Sequence, residues 1–288
     1  MTIIEAIILG IVQGLTEYIP VSSSAHLIIV PWLFNWTDPV LTSLSFDVAL
    51  HLGTLIAVIW FFARDWARLI HAWLLSIKEH KISGDPDRRL AWLILLGCIP
   101  GGIAGVLGES KIDELFHQPN TPINPNAIFV LAIIIILLAF ALFIVERVAR
   151  HTRTMESLTF KDVVIIGLAQ AFAIFPGVSR SGSTITAGLA LGLKRDEAAR
   201  FSFLLGAPII AGAGLKSLWD LLKLSQAGAG LAGNELILFP IGIVVAAISG
   251  YFCIKFLLNY LQKHSTDVFV YYRWALAALI VVVALVRG

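Results

Sequence analysis

The chain has 288 residues, of which 58% are hydrophobic and 14% charged, with a mean hydropathy of +0.87; soluble domains are roughly 45–50% apolar and roughly 25% charged. This excludes an ordinary soluble globular domain and points to an integral membrane protein. A net charge of +2 with no Lys/Arg-rich run argues against a nucleic-acid partner, and Cys98 and Cys253, isolated in apolar runs, read as small core residues, not as a disulfide or metal site.

The first segment, "MTIIEAIILGIVQG", has no basic residue ahead of its apolar stretch, so it does not read as a cleavable signal peptide and is expected to stay in the mature protein. The apolar region Ile3 to Trp36 is broken by "TEYIPVSSSAH". Three continuous apolar runs follow, at Phe46 to Ala63, Leu90 to Leu107 and Asn126 to Val145. A second broken region, Val163 to Leu193, carries "PGVSRSGST". Three more runs close the chain, at Phe201 to Leu222, Leu236 to Phe256 and Val268 to Leu285. The six continuous runs reach the roughly 18 residues expected of a membrane-spanning helix.

Each interruption combines proline, serines and ionisable groups. Lipid-facing helices do not tolerate such breaks, because hydrocarbon cannot satisfy the freed backbone groups; protein or a wet cavity must cover them. Both regions therefore read as re-entrant helix–loop–helix hairpins, with kinked full spans as the other reading. With hairpins that enter and leave on one side, fifteen Lys and Arg residues fall in inner segments and three in outer ones. That bias places both termini outside the cytoplasm.

At an offset of 157 residues Gly10 meets Gly167, Gln13 meets Gln170, Val21 meets Val178, Ser22 meets Ser179 and Ser24 meets Ser181. Each hairpin precedes three spans, and an odd number inverts the second copy relative to the first. The expected fold is all-α: one membrane domain over residues 1–288, with six transmembrane helices and two re-entrant hairpins in an inverted-topology repeat of approximately 1–146 and 158–288. Such repeats place a site near the midplane, where the broken elements meet.

The chemistry-bearing residues cluster in the interruptions. Gln13 and Glu17 share a helical face, and a carboxylate at membrane depth marks a functional position. Ser22, Ser23, Ser24 and His26 follow within ten residues. Alone, the serines also suit capping after Pro20 and His26 a satisfied core position; together they make an acid/base and nucleophile arrangement conceivable. In the second hairpin Arg180 lies between Ser179 and Ser181, with Ser183 and Thr184 leading into a helix. An arginine fork at a helix start suits a phosphate; the other reading pairs Arg180 internally with Glu17. Asp47 and His51, four apart at the next span's start, read as a polar entrance or as groups close to a metal.

"QGLTEYIPVSSSAH" and "PGVSRSGSTITAG" together resemble the motifs of the integral-membrane undecaprenyl-diphosphate phosphatases, also called bacitracin-resistance proteins, and the resemblance runs over essentially the whole chain. It implies removal of the terminal phosphate from undecaprenyl diphosphate, the lipid carrier of bacterial cell-wall sugars, with a divalent cation, Mg2+ or Ca2+. It further implies a polyprenyl diphosphate substrate drawn from surrounding membrane lipids, location in the bacterial plasma membrane and resistance to bacitracin, and it leaves a homodimer open; the outward-facing copy of the hairpin is what points to a site that opens to the extracytoplasmic side. On that resemblance Glu17 is the essential acid and a metal ligand, Ser23 the nucleophile or an orienting hydroxyl, His26 an acid/base and Arg180 the phosphate clamp. Gln13, Ser22, Ser179, Ser181 and Thr184 support the substrate. Gln13 stands where the family also admits an acid, which leaves Glu17 as the principal carboxylate. A prenyl-phosphate flippase built on the same midplane anion site is the alternative. A type-2 phosphatidic acid phosphatase does not fit, since no histidine follows Arg180 in "SRSGSTITAGLALG".

Overall fold

A computed structural model describes residues 2–116, 125–226, 233 and 235–287. Among them there are eleven α-helices and no strand. In chain order these are α1 (Thr2–Thr16), α2 (Ser23–Phe34), α3 (Leu44–Phe61), α4 (Ala63–Lys78), α5 (Pro86–Phe116) and α6 (Pro125–Val148), then α7 (Phe160–Ala171), α8 (Arg180–Ala190), α9 (Arg195–Gln226), α10 (Glu235–Leu261) and α11 (Asp267–Arg287). Six of them, α3, α5, α6, α9, α10 and α11, hold stretches long and apolar enough to cross a membrane, and these coincide with the six runs expected from hydropathy. Met1 and Gly288, whose side of the membrane the charge count addresses, lie outside the described residues.

The interrupted regions become two pairs of short helices. With 15 residues in α1 and 12 in α2, 12 in α7 and 11 in α8, each falls short of the roughly 30 Å hydrocarbon core at about 1.5 Å per residue. Within each pair the two helices pack against one another. Their starts are locally encoded: Thr159 and Asp162 form a capping box on α7, and Ser22 and Ser179 cap α2 and α8 with their hydroxyls. At the other end of α2, the Arg287 guanidinium donates to the carbonyls of Trp32 and Leu33, where a cation is favoured.

The short helices are wedged among the long ones. α1 packs on α10 and α3, and α7 packs on α5. Glycine permits both approaches: a Cβ on Gly10 would stand 3.0 Å from Val245, and one on Gly167, its counterpart at offset 157, 2.7 Å from the Gly97 carbonyl. A second apolar cluster joins α2, α6 and α11 through Ile29, Leu131 and Ile280. The ends of α6, α9 and α11 are tied by the buried Glu146, which accepts from Arg195 Nε at 2.7 Å and from the Thr266 hydroxyl at 2.8 Å.

One inner-segment charge is placed differently from expectation. Arg273, one of the fifteen basic residues counted as inner although it falls within the run Val268 to Leu285, lies inside α11 and is fully buried, with its guanidinium turned onto main-chain carbonyls. The segment between α3 and α5 contains α4, an amphipathic helix that buries Leu69, Ala72 and Ser76 along one face.

A Cβ on Gly14 would fall 2.7 Å from the Gly250 nitrogen and 2.8 Å from the Ala246 carbonyl, so Gly14→Val must push α1 off α10. Thermal unfolding in detergent should show a loss of about 1–3 kcal/mol, whereas Gly102→Ala, with nothing within 4 Å, should leave the melting temperature unchanged.

Candidate active site

The turns leading into α2 and α8 have matching backbones. Ser22 has φ 78° and ψ 94°, and Ser179 has φ 66° and ψ 110°, a region that non-glycine residues adopt only when the surroundings enforce it. In each turn the serine hydroxyl accepts from the amide three residues on, Ala25 or Gly182. Each also stands 3.3 Å from a second hydroxyl, Ser24 or Ser181. The residue that follows each strained serine, Ser23 in one turn and Arg180 in the other, faces Glu17.

Glu17 is the hub. Its Oε2 accepts from the Ser23 hydroxyl at 2.6 Å and from Gln13 Nε2 at 3.0 Å, and His51 Nε2 lies 3.5 Å away. Its Oε1 pairs with Arg180 Nη2. The Glu17 side chain is 4% exposed, and a carboxylate so buried persists only when paired and hydrogen-bonded. Arg180 also donates through Nη1 to the Gly206 carbonyl at 3.1 Å; a Cβ on Gly206 would stand 3.2 Å from the guanidinium carbon, so glycine is what lets the fork lie flat on α9. A cavity of about 10 Å³, bordered by Glu17, Arg180, Ser181, Ser202 and Gly206, adjoins the pair. That is close to the smallest volume able to hold one water.

The residues singled out from sequence do not all converge on Glu17. Gln13, Ser23 and Arg180 touch it, and so does His51. Asp47 enters through its main-chain carbonyl, which accepts from His51 Nδ1 at 2.7 Å; this turns Nε2 toward the carboxylate. His26 points elsewhere. Its Nδ1 donates to the Ser22 carbonyl at 2.6 Å and its Nε2 accepts from the Tyr272 hydroxyl at 2.7 Å, with the two rings stacked at 5.7 Å. Both imidazole nitrogens are therefore engaged away from Ser23. Ser22 and Ser179 serve their caps, and Ser181 reaches the Ile19 carbonyl at 3.3 Å. Ser183 and Thr184 bond back to the Arg180 carbonyl at 3.1 and 2.8 Å, and Thr184 meets Ser202 at 2.7 Å.

Arg273, Tyr272, Ser202 and Gly206 escape sequence reasoning. The two carbonyls held by Arg273 are Pro20 at 3.2 Å and Gly177 at 2.8 Å. A cation inside the apolar run Val268 to Leu285 is the signal that marks Arg273.

Among the described residues no three of His, Cys, Asp and Glu converge as a metal cluster. The oxygen donors present are the Glu17 carboxylate and Gln13 Oε1, which is buried without a partner. A hard divalent cation is commonly held by one or two carboxylates together with substrate phosphates, and these donors suit it.

Glu17→Gln and Arg180→Met each leave one member of a buried pair uncompensated, with an expected cost of about 3–5 kcal/mol. The double variant should lose less than the sum of the two, with a coupling of about 0.5–3 kcal/mol read from thermal unfolding in detergent; additive losses would show that the contact does not hold the two turns together.

The family model for bacitracin resistance protein BacA matches residues 6–279. Among curated proteins, "Undecaprenyl-diphosphatase" of Thermomicrobium roseum is 46% identical over 98% of both chains, that of Moorella thermoacetica 45% over 100% of both, and that of Methanobrevibacter smithii 44% over 97% of both. With a match spanning nearly the whole length and both the Ser22 and Ser179 turns inside it, this chain belongs to the BacA bacitracin resistance protein family.

Proposed function

We propose that the chain hydrolyses undecaprenyl diphosphate to undecaprenyl phosphate and inorganic phosphate, returning the lipid carrier of cell-wall sugars to use. The observation that carries this is the Ser23–Glu17–Arg180 arrangement: a hydroxyl bonded to a buried carboxylate whose other oxygen meets a guanidinium from the opposite turn. The three relatives are each named for this same reaction, as undecaprenyl-diphosphatases.

In the proposed reaction the diphosphate's terminal phosphoryl group takes the guanidinium fork of Arg180 at the start of α8, where backbone amides favour an anion. Ser23 Oγ attacks the terminal phosphorus as its proton passes to Glu17 Oε2, its hydrogen-bond partner. The bond from phosphorus to the bridging oxygen breaks, and undecaprenyl phosphate departs. Water then attacks the phosphoserine, inorganic phosphate leaves and the Ser23 hydroxyl is restored. His26 acts on this reading by holding the turn through the Ser22 carbonyl, with Tyr272 fixing its tautomer, while Glu17 is the base. Glu17 and Gln13 Oε1 would hold a divalent cation such as Mg2+ or Ca2+, whose charge offsets that of the diphosphate when bound.

The finer architecture is part of the proposal. We read α1–α2 and α7–α8 as re-entrant hairpins in two inverted repeats, with the termini and site facing the extracytoplasmic side of the plasma membrane. The short helices, the matching turns at Ser22 and Ser179, and the packing of α1 on α10 and of α7 on α5 support this reading, as does the distribution of basic residues.

Purified protein should release inorganic phosphate from a prenyl diphosphate, and Ser23→Ala and Arg180→Ala should each lower kcat by at least about 100-fold. A chelator should suppress release and added Mg2+ or Ca2+ restore it. Prenyl-phosphate movement across vesicles without phosphate release would overturn the enzyme reading. In a cysteine-free background, single cysteines at Thr2 and Asn35 should react with an impermeant maleimide from the same face and a cysteine at Gly84 from the other; Thr2 and Asn35 on opposite faces would refute the re-entrant hairpin.

A further inference from the structure

Arg273 is a permanent cation with no exposed surface, and its guanidinium goes to main-chain oxygens. Nη1 donates to the Pro20 carbonyl at 3.2 Å and Nη2 to the Gly177 carbonyl at 2.8 Å, while Nε is buried with no partner. Burying a cation carries a desolvation cost, which its bonds to the two carbonyls must offset.

Its two targets are not arbitrary. Pro20 and Gly177 are 157 residues apart, the same offset that relates the two turns. Each carbonyl precedes by two residues a serine with positive φ, Ser22 or Ser179, and by three residues the side chain that meets Glu17, Ser23 or Arg180. One rigid planar fork therefore grips both turns at the same point. Lysine offers a point charge on a flexible stem and cannot reproduce that fixed spacing. Gly182 leaves the room: a Cβ there would lie 3.0 Å from Arg273 Nη1 and 3.0 Å from Ser179 Oγ.

We infer that Arg273 is a positioning residue that holds the Ser23 turn and the Arg180 turn in register through the Pro20 and Gly177 carbonyls, so that it governs the rate of phosphoryl transfer more than substrate binding. The inference rests on the proposed phosphatase reaction. Losing the bracket leaves Arg180 able to bind a phosphate, while displacing nucleophile from clamp by even about 1 Å costs on the order of 100-fold in rate.

The test uses the full chain in detergent, with Arg273→Met, Arg273→Lys and Gly182→Ala compared with wild type for thermal unfolding and for initial rates of phosphate release across a range of prenyl diphosphate concentrations. Arg273→Met should melt cooperatively, with kcat about 100-fold down and KM within about threefold of wild type. Arg273→Lys should keep the charge yet stay at least about tenfold low in kcat, because it reaches one carbonyl and not both. Gly182→Ala, which retains Arg273 but crowds its fork, should lower kcat in the same KM-independent way. Should Arg273→Met fail to fold, the other two variants decide by the same criteria. Wild-type kcat in any folded variant, or a loss confined to KM, overturns the bracket. A wild type that releases no phosphate overturns the proposed function and this inference with it.

Discussion

The structure depends on a carboxylate and a guanidinium that meet across 163 residues of sequence. Neither Glu17 nor Arg180 could sit at this depth alone, since an unpaired buried charge is far costlier than a paired one. Their meeting therefore dictates where the two broken helices must end. It also dictates what surrounds them: Gln13, Ser23 and His51 converge on one carboxylate oxygen, and the Gly206 carbonyl backs the guanidinium from α9. The chemistry follows from that enforced encounter, because the hydroxyl nearest the acid is Ser23.

Two turns with nearly the same backbone carry different side chains. Each begins with a strained serine that caps a helix and faces a second hydroxyl at 3.3 Å. At the equivalent next position one holds a hydroxyl and the other a cation. The position matching Glu17 is Ile174, so the acid occurs in the first turn alone. Gln13 and Gln170 show the same divergence: the first bonds Glu17, the second the Gly97 carbonyl. A symmetric backbone thus carries an asymmetric site, and Arg273 grips both turns at once through carbonyls that match under that symmetry.

The sequence made the long helices legible because hydropathy is local; six runs and six helices coincide. Both turns were legible for the opposite reason, since proline, serine and charge inside apolar stretches cannot be ordinary lipid-facing helix. The Glu17–Arg180 contact was weighed from sequence as one of two readings, and it is present. Contacts set by how separate helices face one another were not legible. His26 lies three residues from Ser23, and proximity along the chain suggested a base, yet the Ser22 carbonyl and Tyr272, 246 residues away, claim both of its nitrogens. His51 had no visible target until α3 packed beside α1. Arg273 was obscured because it was counted among the inner basic residues although it falls inside the run Val268 to Leu285.

The contact between Glu17 and Arg180 also bears on turnover. On the proposed function, an arriving diphosphate competes with a tethered carboxylate that is always present for the same guanidinium. Binding is then an exchange of one anion for another, which tempers affinity for substrate and for released phosphate alike. The carboxylate can retake the arginine as phosphate leaves, so Glu17 doubles as a built-in displacing ligand, and the enzyme resists being trapped by its own product.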